Sequence, residues 1–282
     1  MVLPKFLIKK TPKQKNINHI RNLICDHSIH TVCESAKCPN IGECFSQNTL
    51  TFMILGNSCT RNCSFCGISK GSPSPVDPEE PKRIARAVKK LGLNYVVITS
   101  VTRDDLPDGG ASHFAAVINE LQATNNEILT EVLIPDFQGN ETALKVVLAA
   151  RPYVLNHNIE TVPRLYPKIR PQANYQQSLN LIRKAKTLKK STLYTKSGFM
   201  VGLGERREEI IAVLEDLKNT DCNIVTIGQY LPPSREHLQP ERYVHPDEFN
   251  EFQKAGEKMG LKVFAGPFVR SSYQAKKVVN NE

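Results

Sequence analysis

Two cysteine triplets hold the densest chemistry of the chain. Cys33-x4-Cys38-x5-Cys44 lies in "CESAKCPNIGEC", and Cys59-x3-Cys63-x2-Cys66 lies in "CTRNCSFC". Together they place six of the 8 cysteines between residues 33 and 66. Three neighbouring thiols cannot pair off as disulfides, and such bonds are rare in the reducing cytosol. Zinc usually closes a tetrahedron with a fourth ligand. Three cysteines on a four-iron cluster leave one iron without a protein ligand, free to bind a small molecule. From spacing alone an iron–sulfur cluster, a zinc site and unmetallated thiols all stay open, in that order.

The elements around the triplets follow a strand-then-helix rhythm. "TFMILG" at 51–56 precedes the second triplet, and the Pro-rich connector "GSPSPVDPEEP" leads from it into a helix starting near Pro81. Short apolar strands are expected at 95–100, 128–135, 153–160, 197–205 and 223–231. Helical stretches are expected near 81–92, 111–123, 140–150, 174–190 and 206–219. Six such βα units predict a parallel sheet with helices outside. The fold class expected is α/β, a partial (βα)6 TIM-type barrel with N- and C-terminal extensions; a doubly wound open sheet is the competing topology. The segments are 1–48, carrying the first triplet, the core at 49–232, and 233–282. In either topology the working residues sit at the C-terminal ends of strands.

Composition narrows the class of function. The chain has 282 residues, 40% of them apolar, and no apolar run approaches a membrane span. The N-terminus is basic without a hydrophobic h-region or a cleavage site, so a soluble cytoplasmic protein is expected. The formal charge of +9 is uneven. Residues 162–196 hold Arg164, Lys168, Arg170, Arg183, Lys184, Lys186, Lys189, Lys190 and Lys196 and no acid. A solvated helix face, an acidic protein partner and nucleic acid are the possible readings. No interleaved aromatics or RNA-module motif supports nucleic acid.

C-x3-C-x-aromatic-C after the first core strand resembles the radical S-adenosylmethionine superfamily. "GFMVGLGE" at 198–205 fits that superfamily's glycine-containing strand-five pattern, with Met200 in its Ile position. The strand-two stretch is less regular, with Asp108-Gly109-Gly110 in place of a plain Gly-Gly-Glu. The first triplet is more specific and resembles the lipoyl synthase family. "CPNIGECF", "VVITSVTRDDLPDGGA", "VLNHNIETVPRLY", "YTKSGFMVGLGE", "TIGQYLPPS" and "VRSSY" extend the match from about residue 30 to 275.

The resemblance implies two 4Fe-4S clusters. Cys59, Cys63 and Cys66 would hold the cluster that binds and cleaves S-adenosylmethionine to a 5′-deoxyadenosyl radical. Cys33, Cys38 and Cys44 would hold an auxiliary cluster, completed by a serine of "RSSY": Ser272, with Ser271 as the fallback. The reaction implied is insertion of two sulfurs, at C6 and C8 of an octanoyl chain on a lysine of a lipoyl carrier domain or H protein, with the auxiliary cluster as sulfur source. A hard serine oxygen would let its iron leave more readily than a thiolate would. Phe65 would lie beside adenine, Gly198 and Gly202 would admit it, Asn156 and Glu160 would meet the ribose, and Glu205 would belong either to the cofactor site or to a helix N-terminus.

Partners implied are an acidic octanoylated carrier, an electron donor such as ferredoxin or flavodoxin, and an iron–sulfur carrier protein, with no nucleic acid and no membrane. Arg103, Asp104, Asp105 and Asp108 follow strand two, where capping and cofactor placement compete as roles. Arg170 and Lys196 read first as structural or surface cations, and Cys222 as an inert thiol. Another radical sulfur inserter, of the biotin synthase or methylthiotransferase kind, is the alternative enzyme. A zinc-dependent RNA binder is the rival of a different class.

Overall fold

The computed structural model describes residues 3–9, 14–189 and 193–280; of the basic residues singled out above, Lys190 lies outside them. The chain forms two compact units, grouped by proximity and not by chain order. One, the early unit, comprises Thr11–Arg61 and Gly67–Leu155; the other, the late unit, comprises Met1–Lys10, Asn62–Cys66 and Asn156–Glu282.

The early unit contains β1 (His30–Thr31), β2 (Thr51–Ile54), the short β3 (Ser58–Cys59) and β4 (Ser69–Lys70), then β5 (Tyr95–Ser100), β6 (Leu129–Leu133) and β7 (Val154–Asn156), in which the chain passes to the late unit. Its main sheet runs β1-β2-β5-β6-β7. The β2–β5 and β5–β6 pairs are parallel, with Thr51 opposite Val97 and Tyr95 opposite Leu129; β1 is antiparallel to β2. Helices follow at Glu80–Leu91, Ala111–Thr124 and Glu141–Ala149. Val96, Val97 and Ile98 of β5 are all buried, as in a sheet covered on both faces. The Glu80–Leu91 helix carries Pro81 in its first turn, where a missing N–H costs nothing, and ends where Gly92 turns left-handed at φ 63°.

The late unit pairs β8 (Tyr194–Val201), β9 (Ile224–Gln229) and β10 (Lys262–Gly266), all parallel, with Ile224 opposite both Lys196 and Lys262. The helices Tyr175–Leu188, Arg207–Lys218 and Pro246–Lys258 complete six strand-then-helix units along the chain. Their apolar faces join a core that includes Ile182, Phe199, Val213, Leu214, Ile227 and Phe252. Asn174 caps the first of these helices by accepting from the Gln177 N–H at 2.9 Å.

The six expected core strands all form, within a few residues of their anticipated ends. β10 is an addition that the sequence reading assigned only to an extension. "KVFAG" is too short a period-two run to stand out, yet it completes the exposed side of β9. Among the described residues no helix is long and apolar enough to cross a membrane.

Candidate functional site

In the early unit, β2 ends in a tight turn at Leu55 and Gly56, with φ of 67° and 90°. A branched residue in that region is strained and persists only where its surroundings fix it. Both main-chain groups of Leu55 are fixed by side chains. Its N–H donates to the Glu80 carboxylate at 2.9 Å, and its carbonyl accepts from Arg103 Nη1 at 3.3 Å. Glu80 is buried against His113 Nε2 at 2.7 Å. Arg103 forks onto Asp105 at 2.8 and 2.9 Å, and that ion pair holds the Asp105 carboxyl below the usual range.

The cysteine loop leaves this turn. Cys59 Sγ accepts from the backbone N–H of Arg61 and of Thr102, each at 3.4 Å. Such outer donors stabilise a thiolate held on a metal. The Thr60 hydroxyl donates to Thr102 O at 3.0 Å and accepts from the Asp104 N–H at 3.1 Å. Arg61, inside the Cys59–Cys63 spacing, is buried and grips two carboxylates. Its Nε and Nη2 donate to Asp104 at 2.6 and 2.9 Å; its Nη1 and Nη2 donate to Asp136 at 2.8 and 2.6 Å. Burial works against the guanidinium charge, but Asp136 and Asp104 outweigh it, and Arg61 keeps its proton more firmly than a free arginine.

Asp108 is a cap, as one of its two readings held. It accepts from the Gly110 and Ser112 N–H groups at 2.9 and 2.7 Å at the start of the Ala111–Thr124 helix. Burial raises its carboxyl, but these N–H donors outweigh that and leave it below the usual range. Cys33 and Cys44 of the first triplet lie on two short helices, Val32–Ser35 and Ile41–Ser46, and Cys38 lies between them. The Cys38 N–H donates to Cys33 O at 3.0 Å, which keeps the segment compact. Cys33 is buried and its thiol is pushed up to about 12, mainly by desolvation; Cys38 and Cys44 are half-buried.

In the late unit, Cys63 and Cys66 are half-buried, and the Cys66 N–H reaches Cys63 O at 3.3 Å. Ser64 between them donates its N–H to Ile169 O at 3.0 Å and its hydroxyl to Lys168 O at 3.1 Å. Phe65 packs against the late unit's hydrophobic core. Tyr230 donates to Leu238 O at 2.7 Å, and burial, followed by the nearby Cys66, pushes its hydroxyl up to about 12.

Asn156 is buried at the end of β7. Glu160, at φ 64°, is tied to β8: its N–H donates to Gly198 O at 3.0 Å and its carbonyl accepts from Met200 at 2.9 Å. Its carboxylate accepts from Asn158 Nδ2 at 2.9 Å. Burial raises the Glu160 carboxyl above its ordinary value, against the pull of Arg170, Asn158 and Arg270. Asn158 Oδ1 in turn accepts from the Ser271 hydroxyl at 2.9 Å.

Glu205 is buried and accepts the Gly202 and Leu203 N–H groups at 2.6 and 2.8 Å. It therefore closes its own glycine turn. Gly202 sits at φ +94°, where a Cβ would press on the Gln229 amide and lie 2.6 Å from Arg242 O. A Cβ on Gly198 would meet Asn158 Oδ1 and Ser271 Oγ at 3.1 Å. Both glycines make room for protein atoms of the late unit.

The basic segment divides by function. Arg170 is buried and donates to the carbonyls of Asn158 and Ile159 at 3.0 and 3.3 Å; Lys196 is also buried. Lys186 donates to Leu193 O at 3.1 Å and Asn223 Oδ1 at 2.9 Å, just ahead of β8 and β9. Arg164 pairs with Glu209 at 2.8 Å, and exposed Lys168 lies 3.5 Å from Glu241. Cys222 is buried, its thiol pushed up to about 12 by desolvation.

Among the described residues no three His, Cys, Asp or Glu side chains gather tightly enough for a single metal ion. The donor set is nonetheless six soft thiols with no imidazole inside either triplet, and thiolates suit iron–sulfur ligation over hard cations. The N–H donors on Cys59 point the same way. Sequence reading passed over Arg61 and Glu80, and placed Asn158 after strand four without choosing it as a contact. The one available signal was an arginine placed inside the C-x3-C spacing.

A family model described as the Radical SAM superfamily matches residues 53–217. A lipoyl synthase of Caldanaerobacter subterraneus subsp. tengcongensis is 55% identical over 93% of this chain and 92% of its own. A lipoyl synthase of Aquifex aeolicus is 56% identical over 91% of this chain and 93% of its own. Among solved structures, the FeFe-hydrogenase maturase HydG of Carboxydothermus hydrogenoformans superposes with TM-score 0.60 at 15% identity, covering 80% of this chain and 55% of that one. Methylornithine synthase superposes with TM-score 0.57 at 15% identity, covering 92% and 77%. These two likenesses establish the α/β fold.

Proposed function

This chain belongs to the lipoyl synthase family of the radical SAM superfamily, and on that premise we propose which of its residues hold each cofactor and meet each partner. The family's activity is the insertion of two sulfur atoms, at C6 and C8 of an octanoyl-lysine on a lipoyl carrier protein. It uses a four-iron cluster and S-adenosylmethionine.

Cys59, Cys63 and Cys66 are assigned to that cluster, with the Arg61 and Thr102 N–H groups supporting the Cys59 thiolate. Cys33, Cys38 and Cys44, with Ser272, are assigned to a second, auxiliary cluster. When bound, the clusters and cofactor supply the 5′-deoxyadenosyl radical for the unactivated C–H bonds and the sulfur that replaces hydrogen. The observation that carries this reading is the Cys33-x4-Cys38-x5-Cys44 triplet within a match that spans nearly the whole chain. The choice of Ser272 over Ser271 is supported by the Ser271 hydroxyl, which is already engaged by Asn158.

The protein's own residues bind and orient. Glu160 and Asn156 stand at the end of β7 and beside β8, where a ribose would be met. Gly198, Gly202, Glu205 and Phe65 are assigned to the same cofactor site, the first three through the shape of the turn they build. The carrier is proposed to be acidic and to meet Lys168, which is exposed and whose carbonyl holds Ser64 of the cysteine loop. Lys184, Lys186 and Lys189 belong to the helix end that precedes β8, away from the strand ends where chemistry takes place. A ferredoxin or flavodoxin as electron donor, an iron–sulfur carrier protein and a cytoplasmic setting that keeps all eight thiols free complete the proposal.

The test is anaerobic purification with iron and sulfide analysis, then incubation with octanoylated carrier, reductant and S-adenosylmethionine. About eight irons per chain, 5′-deoxyadenosine and a carrier mass gain of two sulfurs are expected. Four irons, or a gain of one sulfur, would sink the two-cluster assignment.

A further inference from the structure

Ser271 and Asn158 are 113 positions apart in sequence and joined by a hydrogen bond of 2.9 Å. The Asn158 amide donates its NH2 to the Glu160 carboxyl at 2.9 Å and turns its oxygen to the Ser271 hydroxyl, which donates. Asn158 is itself immobilised: its carbonyl accepts from Arg170 Nη1 at 3.0 Å, and the next residues are laddered to β8 through Glu160 and Gly198. Gly198 has no side chain where this junction lies, and a Cβ there would crowd both Asn158 Oδ1 and Ser271 Oγ at 3.1 Å. The Tyr273 N–H closes a turn onto Arg270 O at 3.0 Å, so Ser271 and Ser272 are its two central residues.

We propose that Asn158 is a positioning residue for the auxiliary cluster: by holding the Ser271 hydroxyl it fixes the turn that presents Ser272. This rests on the reading of Ser272 as the cluster's fourth ligand. A serine oxygen is a poor match for iron beside thiolates, so its occupancy depends on being presented in place more than a cysteine's does. The same amide also bonds Glu160, the residue proposed for the cofactor. A shift of Glu160 on cofactor binding would therefore be felt at Ser271.

The experiment uses holoenzyme reconstituted with 57Fe, comparing wild type with Ser271→Ala, Asn158→Ala and Ser272→Ala. Two readouts are taken: the rate at which iron passes to a ferrous chelator, and the Mössbauer signature of the auxiliary cluster's unique iron. Ser271→Ala removes one hydrogen bond without altering Asn158, Glu160 or the fold around them. Loss of one such bond corresponds to about fivefold faster iron release. That acceleration, with a changed signature of the unique iron, is the expected result for Ser271→Ala and Asn158→Ala, and Ser271→Ala should leave the signal of the cofactor-binding cluster unchanged. Ser272→Ala should release iron faster still. If Ser272→Ala accelerates release while Ser271→Ala keeps the wild-type rate and signature, the role given to Asn158 is overturned and the ligand assignment stands. If Ser272→Ala itself behaves as wild type, the ligand assignment falls, and the role of Asn158 with it.

Discussion

Replacing Arg61 by Met should destabilise the early unit strongly, and the reason can be located in one carboxylate. The Asp136 side chain is 0% exposed and the Asp104 side chain 26% exposed, while Arg61 reaches both through four hydrogen bonds of 2.6–2.9 Å. Without the guanidinium, Asp104 can turn to water. Asp136 is too buried to do so; besides Arg61 it accepts the Gln138 N–H at 3.0 Å, a neutral donor that does not offset its charge. Removing one partner of a buried pair costs about 3–5 kcal/mol, because the other charge is left uncompensated. That is a shift of roughly a hundredfold to a few thousandfold in the folding equilibrium. Urea unfolding of the apo-protein followed by far-ultraviolet circular dichroism measures it.

The decisive comparison is Arg61→Met combined with Asp136→Asn. An amide can still accept from Gln138 and carries no charge, so the double variant should recover about 2 kcal/mol of the loss. Lys in place of Arg keeps the charge but not the fork that serves two carboxylates at once, and should fall between. Iron on the cluster proposed for Cys59, Cys63 and Cys66 should decline in the same order, since Arg61 anchors the loop that carries Cys59. A Met variant within about 1 kcal/mol of wild type, or a double variant no better than the single, would refute the assignment of the cost to Asp136.

Four further outcomes follow from single contacts. Lys186→Glu should lower the melting temperature through a loss of about 1–3 kcal/mol, because its ammonium serves Leu193 O and Asn223 Oδ1, whereas exposed Lys184→Glu should not. Carrier KM should respond to Lys168→Glu and not to Lys184→Glu, and the reverse order would move the docking site. Gly202→Ala should cost more than about 1 kcal/mol in thermal or urea unfolding, since its φ of +94° and the Arg242 carbonyl both oppose a side chain. The Glu209 carboxyl is lowered from 4.5 to about 2 by Arg164, so the pair's contribution is complete above pH 4.5 and fades as pH falls toward about 2. In Arg164→Ala the acid limb of the stability profile should flatten across that window, and an unchanged limb would argue against the pair.

The sequence by itself determined the chemistry and the rhythm of the fold. Cysteine spacing is local, so a triplet can be recognised without knowing where its sulfurs point. Apolar strands and amphipathic helices are also local patterns, and all six core strands formed close to their expected ends. The basic segment shows where locality stops. Nine cations in a row of 35 residues look alike in sequence, yet Arg170 and Lys196 are buried, Lys186 is spent on carbonyl groups and Lys168 faces solvent. Gly198 and Gly202 likewise looked like room for a ligand, and only packing showed which protein atoms occupy that room. The tertiary structure alone decided the partners of Arg61, Glu80 and Asn158. Their long-range hydrogen bonds span 25 to 113 positions, and no short-range pattern encodes which distant carboxylate or hydroxyl a buried polar side chain will meet.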